Sequence, residues 1–236
     1  MEYLWITCSI FLLLYLPFTR SQGLCEVKNG SSTIIVDIEE SRGTSISQET
    51  VPPELPIVGE PNVDIFLDLS FPKGVPLFFL NEKKLQLLTP IDRDEKNLSH
   101  IVFQLICTIK STYKKRTIPV IVRLIDVNDN APKFINTPYE TTISELTPVG
   151  TTIFQNVAAK DKDTGVNGLV EYTIVKGSNL PDDDNSIGRR MHSEDGYGYF
   201  AINLPHQGQI TVNRTLDFEK TQRYYVTIVA TVSSLL

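Results

Sequence analysis

The most constraining feature of this sequence is a seven-residue segment near its middle, Asp126-Val127-Asn128-Asp129-Asn130-Ala131-Pro132. Four of its first five side chains carry oxygen, and every residue adds a backbone carbonyl. Calcium binds about six to eight oxygens from carboxylates, amides and carbonyls. Because an extended chain advances about 3.3 Å per residue, five residues span roughly 16 Å and can reach several ions. Pro132 favours an extended conformation at the residue before it, so the segment is predicted to be a stiff connector that binds cations.

Two simpler interpretations of this segment, a solvated turn and an EF-hand loop, compete with a cation site. Asp and Asn beside Pro are common in solvated turns. An EF-hand loop requires Gly and Glu at positions where this chain has Ala131 and Thr137, so that template fails. The cation interpretation is favoured over the turn because acidic pairs occur on both sides of the segment, at Asp92 and Asp94 and at Asp161 and Asp163.

Runs of β-branched and aromatic residues predict β-strands on both sides of this segment. These runs lie between turn signals and lack helical periodicity; examples are residues 33–38, 101–106, 169–174 and 224–229. The chain is long enough for two domains of ordinary size. The sequence therefore predicts an all-β fold made of two sandwiches.

The two halves of the chain also share an internal repeat. In each half, a Glu precedes a Gly-Thr pair, and an Asp-x-acid triplet follows a later strand. These features are residues 39–44 with Asp92-Arg93-Asp94 in the first half, and residues 145–151 with Asp217-Phe218-Glu219 in the second. The repeat indicates two copies of one type of domain with matching acidic groups.

The linker, the Glu and triplet motifs, Asp161-Lys162-Asp163 and Asn167-Gly168 together resemble the inter-repeat junction of cadherins. The resemblance implies two tandem Greek-key β-sandwich cadherin repeats, at residues 24–133 and 134–236, the second incomplete at its C-terminus. The N-terminal Cys extension and the segments 38–44 and 144–154 are similar to the lineage of protocadherin-15 and insect cadherin-99C. That lineage implies a long, single-pass membrane protein whose first two repeats bind another cadherin, of the same or a different chain.

The resemblance further implies one calcium site between the repeats, for two or three ions. Its ligands come from the first repeat, the linker and the second repeat: Glu39, Asp92 and Asp94; Asp126, Val127 (carbonyl), Asn128, Asp129 and Asn130 (carbonyl); Asp161, Asp163 and Asn167 (carbonyl). Glu39 is preferred to Glu40, although the spacing to the Gly-Thr pair differs between the repeats and leaves this choice open. Without metal, these carboxylates repel one another and the linker is expected to flex. With metal, the joint is expected to stiffen, and magnesium is the weaker candidate because it retains its waters.

Two departures from the cadherin pattern limit this transfer. Val232 stands where cadherin repeats usually carry an Asp, so the third ion is expected to be weak or absent. Glu145, Asp217 and Glu219 form an orphan half-site for a second linker, because the sequence stops at Leu236 before a last strand. The sequence is therefore interpreted as the N-terminal piece of a longer adhesion protein, either a truncated isoform or an incomplete gene model.

Residues 1–23 are predicted to be a secretory signal peptide, with an uncleaved anchor as the alternative. Removal of the signal leaves Cys25 and Cys107, which are predicted to form a disulfide in an oxidising compartment. N-glycosylation motifs begin at Asn29, Asn97 and Asn213. The chain is thus expected to be extracellular or at the cell surface.

The function predicted from the sequence is a calcium-dependent cell-adhesion module, with a secreted decoy for the full-length protein's partner as the alternative. The net charge of −6 argues against a nucleic-acid partner. Paired carboxylates that recur in both halves are typical of structural ligands, and no hydrolase motif accompanies them, so neither an enzyme nor a small-molecule substrate is predicted. The polar loop at residues 177–198 is interpreted as a charged insertion, with a second metal or partner site as the alternative.

Overall fold

The computed structural model describes residues 23–72, 74–177 and 192–232. These residues form two β domains with only one short α-helix, which confirms the all-β prediction. The predicted signal peptide lies outside the described residues except for Gly23, and most of the polar loop at residues 177–198 lies outside them as well. None of the described helices is long and apolar enough to cross a membrane.

The first domain is built on one four-stranded sheet and one β-hairpin. Its elements are β1 (Ile34–Glu39), β2 (Ile65–Ser70), β3 (Phe78–Asn81), β4 (Lys84–Leu87), α1 (Arg93–Lys96), β5 (His100–Ile109) and β6 (Lys115–Ile125). The sheet has the order β1-β6-β5-β2, in which β1 runs parallel to β6 and the other pairs are antiparallel. Strands β3 and β4 form the hairpin.

The alternation of side chains along β6 shows why this domain folds as a sandwich. Ile118, Val120, Val122 and Leu124 are buried, whereas the intervening residues point away from the core. The core is closed by the predicted disulfide between Cys25 and Cys107, whose Cα atoms are 5.7 Å apart, so this prediction is confirmed. The cysteines are separated by 82 residues in sequence, and a loop of that size corresponds to about 4 kcal/mol of stabilisation in the chain-entropy account.

The second domain consists of shorter strands around a smaller buried cluster. Its strands are β7 (Lys133–Ile135), β8 (Thr152–Phe154), β9 (Ala158–Lys160), β10 (Val170–Val175), β11 (Ser193–Asp195), β12 (Phe200–Ala201), β13 (Ile210–Val212), β14 (Arg223–Tyr225) and β15 (Thr227–Val232). Two 3₁₀ segments occur at Gly165–Gly168 and Pro205–Gln207. The pairings are β12-β13-β8, β10-β15, β11-β14 and β7-β9. Tyr172, Phe200 and Val212 are among the buried residues of its core.

The ends of several elements meet at the junction of the two domains. Strand β1 ends at Glu39, which pairs with Ile125 at the end of β6. The linker follows Ile125 directly, and β7 begins at Lys133. The side chains at the junction therefore come from the ends of β1 and β6, from α1, and from the loop that follows β9.

Candidate metal centre

Glu40 is the buried acidic residue of the first domain at the junction. Its side chain is only 2% exposed. One carboxylate oxygen accepts a hydrogen bond from the Val127 backbone N–H at 2.8 Å, and the other accepts one from the Arg93 N–H at 2.7 Å. This carboxylate therefore connects the end of β1 to both the linker and α1.

Glu39, the residue preferred on sequence grounds, is exposed and does not belong to this cluster. Inward-facing residues alternate along β1 and end at Ile38, so Glu39 faces solvent and Glu40 takes the position at the junction. The second domain supports this assignment, since Glu145 accepts a hydrogen bond from the Phe218 N–H at 2.7 Å. Alignment of Ile38 with Ile143, two residues before each of these glutamates, would have identified Glu40 from the sequence.

The short helix α1 presents the first acidic triplet. The Asp92 carboxylate caps the helix by accepting hydrogen bonds from the N–H groups of Asp94 and Glu95, both at 2.9 Å. Carboxylate oxygens of Glu40, Asp92 and Asp94 all lie within 4.8 Å of one another. The triplet motif therefore places two acidic side chains against the buried Glu40.

Asp126 joins the start of the linker to the second domain. Its carboxylate accepts hydrogen bonds from the Thr164 backbone N–H at 3.1 Å, the Thr164 hydroxyl at 2.9 Å and the Asn167 side-chain amide at 3.0 Å. The Arg93 Nε lies 3.9 Å from the same carboxylate. Thr164 and Arg93 were not identified from the sequence, because Thr164 lies outside the acidic motifs and Arg93 occupies the unspecified middle position of the first triplet.

Asp163 is the buried acidic residue of the second domain at this junction. Its Oδ2 accepts hydrogen bonds from the backbone N–H groups of Asp129 and Asn130, both at 3.2 Å. Carboxylate oxygens of Asp94, Asp129 and Asp163 all lie within 4.8 Å of one another. A Cβ at Gly168 would lie 2.2 Å from the Asp163 carbonyl oxygen, which explains the requirement for Gly after Asn167.

The hydrogen-bond donors at the junction do not satisfy its carboxylates. The Asn130 side-chain nitrogen lies within hydrogen-bond distance of Asp94, Asp129 and Asp163, at 3.0, 2.9 and 2.5 Å, yet an amide NH₂ has only two hydrogens. Asp94 Oδ1 and Asp161 Oδ2 are buried and find no hydrogen-bond donor among the described residues. Buried oxygens without donors are costly, so this arrangement favours an additional source of positive charge.

The acidic residues at the junction also disfavour one another's charged forms. Burial, followed by the charges of Glu40, Asp126 and Asp163, raises the pKa of Asp94 from 3.8 to about 7. Burial and the neighbouring carboxylates, chiefly Asp163, raise the pKa of Asp129 as well. A divalent cation would reverse this effect, and the all-oxygen donor set fits a hard cation such as calcium.

The remaining predicted ligands are placed as follows. Asn128 is exposed, Val127 is buried and uses its N–H to bind Glu40, and Asp161 accepts a hydrogen bond from the Asp163 N–H at 2.9 Å.

The other residues singled out in the sequence lie outside this set. Val232 pairs with Val170, the first residue of β10, which closely follows the 3₁₀ segment that carries Asn167. The orphan half-site residues Glu145, Asp217 and Glu219 are exposed; Glu145 accepts a hydrogen bond from the Phe218 N–H, and Asp217 accepts one from the Lys220 N–H. The predicted glycosylation residues Asn29, Asn97 and Asn213 are exposed, and their modification stays a prediction.

Comparison with protein families gives a match in each half of the chain. Residues 139–235 match the model of the cadherin domain. Residues 16–128 match a model described as a Cadherin-99C-like, immunoglobulin-like domain. The first domain was expected to be a cadherin repeat, but it matches this immunoglobulin-like model, which differs from the model matched by the second domain.

Two curated relatives match most of the chain. Cadherin-99C of Drosophila melanogaster is 62% identical over 222 residues, which are 94% of this chain and 13% of the relative. Protocadherin-15 of Mus musculus is 34% identical over 212 residues, which are 87% of this chain and 10% of the relative. The chain therefore spans roughly a tenth of the length of these relatives.

Solved structures with the same architecture contain consecutive extracellular repeats. Mouse cadherin-23 EC22-24 aligns with a TM-score of 0.56 and 28% identity, covering 85% of this chain and 57% of the other. Mouse clustered PcdhgC3 EC1-3 also aligns with a TM-score of 0.56, at 23% identity, over 85% of this chain and 60% of the other, and it supports the fold alone.

Proposed function

Because this chain belongs to the cadherin superfamily, in the lineage of cadherin-99C and protocadherin-15, we propose that it is a calcium-dependent cell-adhesion module. Its cadherin domain and its relatives imply an adhesion function at the cell surface. In the proposal, calcium at the junction stiffens the two domains into one unit that binds another cadherin, of the same or a different chain.

The proposed calcium ligands combine the residues that the resemblance to cadherins implies with the carboxylates that lie together at the junction. They are Glu40, Asp92 and Asp94 from the first domain, Asp126, Val127 (carbonyl), Asn128, Asp129 and Asn130 (carbonyl) from the linker, and Asp161, Asp163 and Asn167 (carbonyl) from the second domain. Glu40 replaces Glu39 in this set. We propose two or three ions, with the third weakened because Val232 carries no oxygen in its side chain. Bound calcium would supply the positive charge that the hydrogen-bond donors of the junction do not provide.

The protein's own contribution is to assemble ligands from three separate parts of the chain. The N–H of Val127 docks the linker on Glu40 of the first domain. The N–H groups of Asp129 and Asn130 dock the linker on Asp163 of the second domain. Because one set of charges involves both domains, a cation bound there couples the orientation of one domain to the other.

The proposal rests on two buried carboxylate oxygens that find no hydrogen-bond donor among the described residues, one on Asp94 inside the carboxylate clusters and one on Asp161 beside Asp163. An ordinary solvated turn would leave such oxygens exposed to water. The raised pKa of Asp94 is consistent with this interpretation, since its charged form needs a counterion that the described residues do not supply.

The adhesion function can be tested by coating beads with the secreted chain and measuring their aggregation. The beads are expected to aggregate, or to bind beads carrying another cadherin, in millimolar calcium and to disperse in a chelator. Asp129→Ala is expected to abolish the calcium effect, whereas Asp64→Ala, at an acidic residue remote from the ligand set, is expected to leave it intact. Calcium-independent aggregation, or equal behaviour of both variants, would contradict the proposal.

The adhesion proposal leaves the other interpretations without support. The relatives belong to a family of adhesion proteins, and in this proposal the repeated carboxylates at the junction bind metal. No observation favours the secreted decoy over the adhesion module.

A further inference from the structure

We propose that the tip of the β5–β6 hairpin, residues 110–116, binds a sulfated polysaccharide. This surface, the basic tip, carries Lys110, Lys114, Lys115 and Arg116 and contains no acidic residue. It stands out because the whole chain has a net charge of −6. The inference goes beyond the calcium-dependent adhesion proposed above and does not depend on it.

The geometry of the turn exposes the basic tip. The turn is closed by hydrogen bonds between Ile109 and Lys114 and between Ile109 and Tyr113. Tyr113 has a positive φ of 55° and is 76% exposed. A large aromatic side chain held in solvent beside lysines is well placed to stack on a sugar ring.

The outer face of the sheet extends this surface. Phe66, Thr108 and Lys115 lie in one cross-strand row on that face. The Lys110 ammonium lies 4.8 Å from the centroid of the Phe66 ring, which is itself exposed. One lysine thus lies over an exposed aromatic ring and a second lies in the same cross-strand row, a combination that provides both charge and an apolar contact for a sugar.

Neighbouring acidic groups compensate only part of the positive charge. Arg116 lies 3.8 Å from Glu26, and Asp68 occupies the next outward row of the sheet. Lys114 and Lys115 have no ion pair among residues 23–72, 74–177 and 192–232. Their ammonium groups are therefore free to attract an anion.

The acidic junction is too far away to cancel this charge. Strand β6 begins at Lys115 and ends at Ile125, next to the linker. At about 3.3 Å per residue, its length separates the basic tip from the linker by roughly 35 Å. Since charges at physiological ionic strength are screened over about 8 Å, the two ends act independently.

The placement of this domain selects the class of polyanion. The disulfide and the extracellular relatives place the basic tip outside the cell, where nucleic acids and the anionic cytoplasmic leaflet are not its neighbours. Clustered lysines and arginines are typical of heparin-binding surfaces. A sulfated polysaccharide matches both the positive charge and the exposed aromatic rings.

The test is retention of the secreted full chain on immobilised heparin, at fixed calcium, with desulfated heparin and poly-glutamate as comparison ligands. Retention on heparin at about 0.15 M salt is expected, with a steep loss as salt rises. Neither comparison ligand is expected to bind as tightly. Lack of retention, equal binding to desulfated heparin, or equal binding to poly-glutamate would overturn the proposal, the last result pointing to an acidic protein instead.

Matched variants separate the basic tip from total charge. Lys114→Ala with Lys115→Ala is expected to weaken heparin binding about tenfold or more. Lys84→Ala with Lys176→Ala removes the same charge from other exposed positions and is expected to change it less than about twofold. Equal losses in both double variants would show that only net charge matters and would refute the assignment. Conversion of Lys114 and Lys115 to Arg is expected to preserve binding, and Asp129→Ala is expected not to change it.

Discussion

Two acidic clusters in this chain share a local design but differ in their surroundings. In each, a glutamate accepts a hydrogen bond from the middle N–H of an acidic triplet, Glu40 from Arg93 and Glu145 from Phe218, both at 2.7 Å. Glu40 is buried and bonded to the linker, whereas Glu145 is exposed. The half-site is therefore encoded within one domain, while the crowding of its charges comes from the linker and from Asp163 of the second domain.

The largest expected loss of calcium affinity comes from removing Asp163, the buried carboxylate that the second domain contributes to the junction. Asp163→Ala is expected to lower calcium affinity by about 100-fold or more, because even residues that only support metal ligands typically cost 10- to 100-fold. Glu145→Ala, in the exposed cluster, is expected to change the affinity of the tightest site less than about twofold. Calcium titration by calorimetry measures both, and similar losses in the two variants would remove the distinction between the clusters.

Glu39 and Glu40 are adjacent in sequence, so matched variants can show which of the two binds calcium. Glu40→Gln keeps the size of the side chain but removes its charge, and is expected to weaken calcium binding at least about tenfold. Glu39→Gln makes the same chemical change on the exposed face of β1 and is expected to leave calcium binding unchanged. The same titration applies, and a greater loss in the Glu39 variant would restore the assignment made from sequence.

The crowding of carboxylates predicts an unusual pH dependence in the presence of a chelator. The folded-state pKa of Asp94 is raised from 3.8 to about 7, so this group favours the folded state most below pH 3.8 and loses that contribution as the pH rises towards 7. Asp94→Asn should therefore stabilise the metal-free chain by about 1–2 kcal/mol at pH 7 and by little near pH 4. Urea unfolding measures the difference, and a less stable variant at both pH values would contradict the account. In calcium, the same substitution should weaken metal binding.

The smallest effect is expected at an acidic residue that the protein itself neutralises. Asp37 forms two hydrogen bonds with the Arg123 guanidinium, at 2.5 and 2.7 Å, and this contact lowers the pKa of Asp37. Its contribution has the opposite sign to that of Asp94, since it is present above the unfolded pKa of 3.8 and lost as the pH falls. Asp37→Asn is expected to cost less than about 1 kcal/mol, because the pair is exposed. Urea unfolding at pH 7 measures this cost, and calcium affinity should not change.

The sequence was sufficient to predict the fold class and the disulfide, because side-chain alternation and an even number of cysteines carry strong physical constraints. It also predicted a cation site at the linker and its acidic neighbours, on the resemblance to cadherin junctions, and that site stays a proposal. The sequence left the choice between Glu39 and Glu40 open, because the spacing to the Gly-Thr pair differs between the domains. The orientation of β1, seen in the burial of Ile38, decides which glutamate faces the junction.

Contacts made by ordinary residues could not be predicted from the sequence. Thr164 binds Asp126 through its backbone N–H and its hydroxyl, and the side-chain nitrogen of Asn130 lies near three carboxylates. These contacts exist only after both domains have folded and met at the linker. The linker motif marked Asn130 for its carbonyl and not for its side chain, and no local pattern marked Thr164.

If a cation orders the linker by binding both domains at once, amide hydrogen exchange will report that ordering at the linker itself. The backbone N–H groups of Val127, Asp129 and Asn130 all bind carboxylates of the junction. In millimolar calcium, peptides covering Asp126–Pro132 should exchange at least about tenfold more slowly than in a chelator, because local opening would break the metal site. The Phe218 amide of the exposed cluster should show no comparable change. Equal exchange of the linker amides with and without calcium, in a chain that remains folded, would contradict the account.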